Sequence, residues 1–351
     1  MMPSPTRRGF LGAAIGTAGV LAAGGGGYGV AKATEPSLSH ENAGPVEFYG
    51  PHQAGIATAA QDRLAFAAFD VTSVDVQAVK AMLGSWAAAA AQMTSGQPIG
   101  PVETAPQAPP IDTGEALGLQ PAQLTITVGF GSSFFDSRFG LAKRRPAALA
   151  ALPAFPNDVL DPNRSGGDIG VQACSNDPQV AFHAMRNFAR LARGTAVLRW
   201  SQLGFGRTST TSTAQATPRN LMGFKDGTNN VKAEDRGDLN RFVWVGDETD
   251  QPWMRGGSYL VTRRIRMLIE SWDADYLADQ ENVIGRVKET GAPLGGKKEF
   301  DRVDLISKAI PPDAHIRLAA PTNNGGQKIL RRGYSFTDGI DPDTGLLDAG
   351  L

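Results

Sequence analysis

Three short segments hold most of the side chains that could do chemistry. In Pro218-Arg219-Asn220-Leu221-Met222-Gly223-Phe224-Lys225-Asp226-Gly227-Thr228-Asn229, glycines at 223 and 227 flank Asp226. Such spacing builds a tight turn whose backbone can press against a flat ligand while its carboxylate is aimed inward. Taken alone, Asp226-Gly227 is an ordinary turn pair. In Asp313-Ala314-His315-Ile316-Arg317-Leu318-Ala319, His315 stands at the start of an apparent strand. An imidazole there can ligate a metal or serve as a hydrogen-bonded structural residue. In Lys328-Ile329-Leu330-Arg331-Arg332-Gly333-Tyr334-Ser335-Phe336, two arginines lie inside a further strand candidate. Either could stabilise negative charge or form a surface ion pair, and the latter is the reading for Arg332.

Composition narrows the field. The 351 residues are 41% hydrophobic and 20% charged, which fits folded globular domains and argues against wholesale disorder or a membrane channel. With 34 basic and 35 acidic residues the formal charge is −1, so no field exists that would favour nucleic acid as a partner. The single cysteine, Cys174, excludes an intramolecular disulfide framework and Cys-rich metal sites, and reads as a small buried residue on a strand. Any metal chemistry must therefore choose among His40, His52, His183 and His315.

The elements that must position these residues follow a leader. Arg7-Arg8 precedes an Ala- and Gly-rich apolar stretch, and Ala31-Lys32-Ala33 supplies a small-x-small cleavage pattern, so residues 1–33 read as a twin-arginine signal. The stretch is short of the roughly 20 strongly apolar residues of a permanent anchor, so membrane contact is expected only during export. The expected destination is the periplasm, the cell envelope or the medium. A linker over 34–45 leads to an N-terminal unit over 46–213. There the pattern predicts strand Leu64–Val71, helix Val74–Met93, strands Leu124–Phe130 and Asp168–Ala173, a helix capped by Asp177 and ended by Gly194, and strand Thr195–Phe205. That order is a ferredoxin-like unit, α+β with an antiparallel sheet. Thr208–Thr213 reads as a polar connection. A second such unit over 214–351 is predicted to contain strand Ser258–Trp272, helix Ala274–Ile284, and strands Ile316–Ala319 and Ile329–Phe336. Its element order leaves it incomplete, and the chain is expected to be C-terminally truncated.

Together with His52-Gln53-Ala54-Gly55-Ile56, the three segments resemble the dye-decolourising (DyP-type) haem peroxidases, and the Gly223-Phe224-Lys225-Asp226-Gly227 stretch matches that family's Gly-x-x-Asp-Gly motif. The likeness runs from about Phe48 to the last residue. It implies two ferredoxin-like units and one haem b per chain, held between the sheet and helices of the second unit. It also implies that His315 is the iron ligand, and that Asp226 shuttles the proton of hydrogen peroxide while Arg331 stabilises the departing oxygen. Activity favoured by mildly acidic conditions follows from a carboxylate base. By the same resemblance, Gly227, Thr228, Asn229, Arg286, Arg331 and the Ala320-Pro321-Thr322 stretch line the haem; relatives often carry Asn-Pro-Arg at the last of these. The reductant is expected to be an organic donor such as a dye or phenolic, and homo-oligomers are compatible with the family. Tyr334, Trp253 and Trp272 are candidates to carry electrons to the surface, with a packing role preferred for each. The twin-arginine branch includes deferrochelatases, which release iron from haem; the other alternative is a non-catalytic haem-binding fragment.

Overall fold

The computed structural model describes residues 44–351. The predicted leader with its Ala33 cleavage position, most of the linker and His40 lie outside the described residues.

A continuous buried apolar run forms β1 (Arg63–Val71), and it is joined by β2 (Thr125–Phe130), β3 (Ile169–Ser175) and β4 (Ala196–Arg207). Two helices intervene. Helix α1 (Val76–Thr94) starts where the Asp75 carboxylate accepts the Gln77 N–H, and α2 (Pro178–Leu191) starts where Asp177 accepts from Gln179 and Val180. The resulting β-α-β-β-α-β order is the ferredoxin-like arrangement expected from the sequence. All its strands pair antiparallel, in the order β2-β3-β1-β4.

Both helices cover the same face of that sheet. Trp86 of α1 sits between Phe69 of β1 and Phe188 of α2 with ring centroids 5.1 Å apart on each side, and its indole N–H donates to the Phe188 carbonyl at 3.2 Å. Burying three such rings edge-on supplies apolar area and fixes helix orientation at once. Cys174 is fully buried on β3, as its residue type suggests.

The remainder is built differently. Short helices α3 (Arg236–Phe242), α4 (Ile269–Ala274), α5 (Leu277–Ile284) and α6 (His315–Leu318) are joined by long irregular stretches. Strands β5 (Tyr334–Ile340) and β6 (Leu347–Gly350) extend the first sheet to six strands, β5 pairing with β4 through Phe205 and Arg207.

Several element expectations here need correction. Ser258–Trp272 is not one strand: Ile265 and Met267 bond to the β6 end, and α4 begins at Ile269. An extended segment becomes a strand only through a partner's hydrogen bonds, and Ser258–Arg264 has no ladder partner among the described residues. The helix expected over Ala274–Ile284 is broken by extended backbone at Asp275 and Tyr276. Ile316–Ala319 is helical, because four residues are too few to distinguish a helical turn from strand alternation. The strand expected from Ile329 starts only at Tyr334. Finally, Thr208, Ser209, Thr210 and Thr211 are buried rather than a solvated connection.

Candidate functional site

Asp226 is held by a closed loop. Its N–H donates to the Pro218 carbonyl at 3.0 Å, while Gly227 adopts φ +82°, a left-handed conformation that side chains disfavour. A Cβ at position 227 would stand 2.8 Å from Ser209 Cα, so the Asp226 turn can seat on the buried Thr208–Thr211 segment only with glycine there. The carboxylate is then used at both oxygens. Oδ1 accepts from Arg331 Nη1 at 2.6 Å and Oδ2 from the Asn220 amide at 3.1 Å. The Asp226 side chain is 12% exposed and that of Arg331 is 40% exposed, so the pair has a protein side and an open side.

Arg331 is positioned through its backbone. Its N–H donates to Asn230 Oδ1 at 2.8 Å, and its carbonyl accepts from Asn230 Nδ2 at 2.8 Å and Ser209 Oγ at 3.0 Å. Those bonds occupy the groups that a strand would have used, which is why β5 starts later. Arg332 departs from its expected surface ion pair. Its guanidinium turns inward and donates to the Thr58 carbonyl at 2.6 Å and to Gln61 Oε1, satisfying backbone oxygens of the segment before β1.

His315 opens α6, which packs against the C-terminal end of α5. Gly285 ends α5 with φ +87°, and a Cβ there would meet Ile316 Cγ1 at 2.7 Å. The imidazole is exposed, yet surrounding protein lowers its pKa below the ordinary value: burial is the main cause, the Asp226 carboxylate opposes it, and the Arg331 and Arg286 guanidiniums reinforce it. The charges of Asp226 and Arg331 thus both reach the His315 ring.

The other residues expected to contact the haem have partners or exposures of their own. Arg286 is buried and donates to the carbonyls of Gly291 at 2.6 Å and Glu299 at 3.0 Å. Thr228 donates to the Glu299 carboxylate at 3.1 Å, and Lys225 forms an ion pair with the same group. Asn229 and Thr322 are exposed, and Ala320 and Pro321 lead into the turn that follows α6. The competing histidines are engaged elsewhere. His183 is buried and bonded to Asp112 at 2.9 Å, and His52 stacks on Trp244 at 3.8 Å. Tyr334 and Trp272 are buried packing residues, whereas Trp253 is 46% exposed, contrary to the packing role preferred for it.

Asn220, Asn230, Ser209 and Glu299 were not singled out by sequence. Asn220 and Asn230 bracket the Asp226 motif, but asparagine in a glycine-containing loop is also a common turn residue. Only their long-range partners distinguish them.

The residues fit a planar iron macrocycle on their own chemistry. Among the described residues no three His, Cys, Asp or Glu side chains gather as a metal-holding group, so a metal at His315 would need most of its ligands from elsewhere. A single crowded but accessible imidazole, with Leu318 exposed one turn along the same helix, provides a donor beside apolar surface.

Comparisons with known proteins show the family of the chain. Family models described as Dyp-type peroxidase, N-terminal and Dyp-type peroxidase, C-terminal match residues 53–206 and 217–351. A deferrochelatase of Yersinia pseudotuberculosis is 39% identical over 314 residues, covering 87% of this chain and 71% of that protein. A deferrochelatase of Escherichia coli K12 is also 39% identical, covering 87% and 74%. Among solved structures, a DyP-type peroxidase from Streptomyces coelicolor superposes with a TM-score of 0.80 at 41% identity, covering 90% of this chain and 84% of the other. One from Cellulomonas bogoriensis gives 0.76 at 36% identity, covering 88% and 83%.

Proposed function

This chain belongs to the Dyp-type peroxidase family, and from that premise we propose that it binds one haem b through His315 and reduces hydrogen peroxide with Asp226 and Arg331 while oxidising an organic donor. The observation that carries the assignment of roles is the 2.6 Å Asp226–Arg331 pair lying within electrostatic reach of an accessible imidazole. Bound haem supplies the electrons that cleave the O–O bond and the oxidising power that the organic donor then draws down.

The side chains supply proton management and charge. With one oxygen held by Arg331 and the other by Asn220, Asp226 keeps a fixed orientation, yet each oxygen retains a lone pair. It takes a proton from one peroxide oxygen and delivers it to the departing one. Arg331 cannot lose its own proton, so it acts as a permanent positive charge and donor beside the oxygen that gains negative charge. Gly227, Thr228, Asn229, Arg286 and the Ala320-Pro321-Thr322 stretch form the haem contacts in this reading.

Peroxide-dependent turnover of a small reductant by Asp226→Asn and Arg331→Leu tests the assignment. Each should fall by about a hundredfold or more with haem retained, as for loss of a proton shuttle or a charged donor. Full turnover in either variant would overturn its role. The names of the curated relatives favour one second reading, iron release from haem. Recovery of metal-free porphyrin from haem without peroxide would support it.

Export by the twin-arginine route is also part of the proposal, supported by Arg7-Arg8, the apolar stretch and Ala31-Lys32-Ala33. Replacing both arginines by lysine should leave the protein in the cytoplasm, and unchanged export would refute this route.

A further inference from the structure

A second concavity is lined by none of the residues discussed above except Trp253. An open cavity of about 330 Å³ is walled by Phe130, Phe134, Phe135, Leu141, Arg144 and Trp253. Its floor is a stack of rings: Phe130 lies 4.9 Å from Phe134, and Phe135 lies 5.7 Å from Trp253 with their planes 27° apart. Trp253 comes from a different part of the chain and is fixed by an indole N–H bond to the Arg144 carbonyl at 3.2 Å. Despite that anchoring it remains 46% exposed. A fixed, half-open tryptophan over an aromatic floor presents a flat apolar surface of the kind that ligand sites use.

The rim has a sign. Arg144, which lines the cavity, is exposed and is in no ion pair among the described residues. The neighbouring acids are otherwise engaged: Asp136 pairs with Arg138, and Asp250 accepts the Ala147 N–H at 3.2 Å. Aromatic walls select a planar ring, and the unpaired Arg144 guanidinium selects an acidic substituent.

We propose that this cavity is a docking site for a planar aromatic anion, an aryl sulfonate or aryl carboxylate whose ring lies against Trp253 and whose acidic group meets Arg144. As a site for the enzyme's reductant it rests on the peroxidase reading, whereas the binding itself does not.

Calorimetric titration of the full protein with 6-hydroxynaphthalene-2-sulfonate, without peroxide, tests the site. Saturable binding is expected. Trp253→Ala should weaken it about tenfold, the scale of losing one aromatic anchor. Arg144→Glu, a surface change that leaves every wall ring in place, should weaken the sulfonate by about fivefold while leaving neutral 2-naphthol within about twofold. Unchanged sulfonate affinity in both variants, or equal losses for the sulfonate and 2-naphthol in Arg144→Glu, would overturn the proposal. Peroxide-dependent oxidation of ferrocyanide, measured on the same samples, separates the two claims. Oxidation with no effect of either variant on binding removes the docking site alone, and variant-sensitive binding without oxidation removes the peroxidase reading alone.

Discussion

The β1–β4 half of the molecule and the half carrying Asp226, His315 and Arg331 are stabilised by different kinds of contact. In the first, Phe69, Trp86 and Phe188 interlock beneath a regular sheet, and backbone groups satisfy one another along the ladders. In the second, backbone groups are satisfied by side chains: Asn230 and Ser209 hold Arg331, and Arg286 caps the carbonyls of Gly291 and Glu299. Apolar packing tolerates any ligand that leaves it covered. Polar clamping instead fixes a few atoms in space, which is what a proton-transfer group requires.

The contrast can be broken most forcefully in the first half. Trp86→Ala should cost about 3–5 kcal/mol by chemical denaturation, because it removes a fully buried ring and strands its neighbours around a cavity. A loss below about 1 kcal/mol would mean that this core does not carry the stability assigned to it.

The Arg138–Asp168 pair is one of the first half's polar contacts and carries a pH signature. Burial tends to raise the Asp168 pKa, but bonds from Arg138, Ser133 and the Val71 N–H outweigh it, leaving the carboxyl below its ordinary 3.8. A depressed folded pKa contributes stability that is fully present above 3.8 and is lost as pH falls through the lower folded value. Asp168→Asn should therefore cost about 1–3 kcal/mol at neutral pH, and less as acid melts approach the folded pKa. A penalty independent of pH would remove the ionised carboxylate from the account.

The smallest stability effect should accompany a large functional one. Asn230→Ala deletes two bonds to Arg331 and one to the Thr210 carbonyl but little apolar area, so about 1–2 kcal/mol is expected. Peroxidase kcat should fall about tenfold or more as Arg331 loses its position. If stability falls steeply while kcat holds, Asn230 is structural only.

The same contrast explains what could be read from sequence. Strands β1–β4 and helices α1 and α2 were legible because each announces itself by local period and by a cap such as Asp75 or Asp177. Asp226, His315 and Arg331 were legible as residue types within distinctive short segments. The elements around them were not. Whether Arg331 begins a strand depends on Asn230, distant in sequence, and the four-residue α6 has no period to detect. Thr208–Thr211 reads as solvated because hydroxyls are polar, yet Gly227 seats directly on Ser209 and buries it. Arg332 misled for the same reason, since its acceptors, the Thr58 carbonyl and the Gln61 side-chain amide, lie far back in the chain.

The central claim is that one imidazole and one carboxylate–guanidinium pair face a shared haem cavity. The most direct measurement is an absorption titration of the purified protein with haem, run on the native sequence and on His315→Ala. The account predicts a saturable haem band at one equivalent for the native chain, and its loss or shift to a weakly held species in the variant. An identical spectrum and affinity in His315→Ala would contradict it.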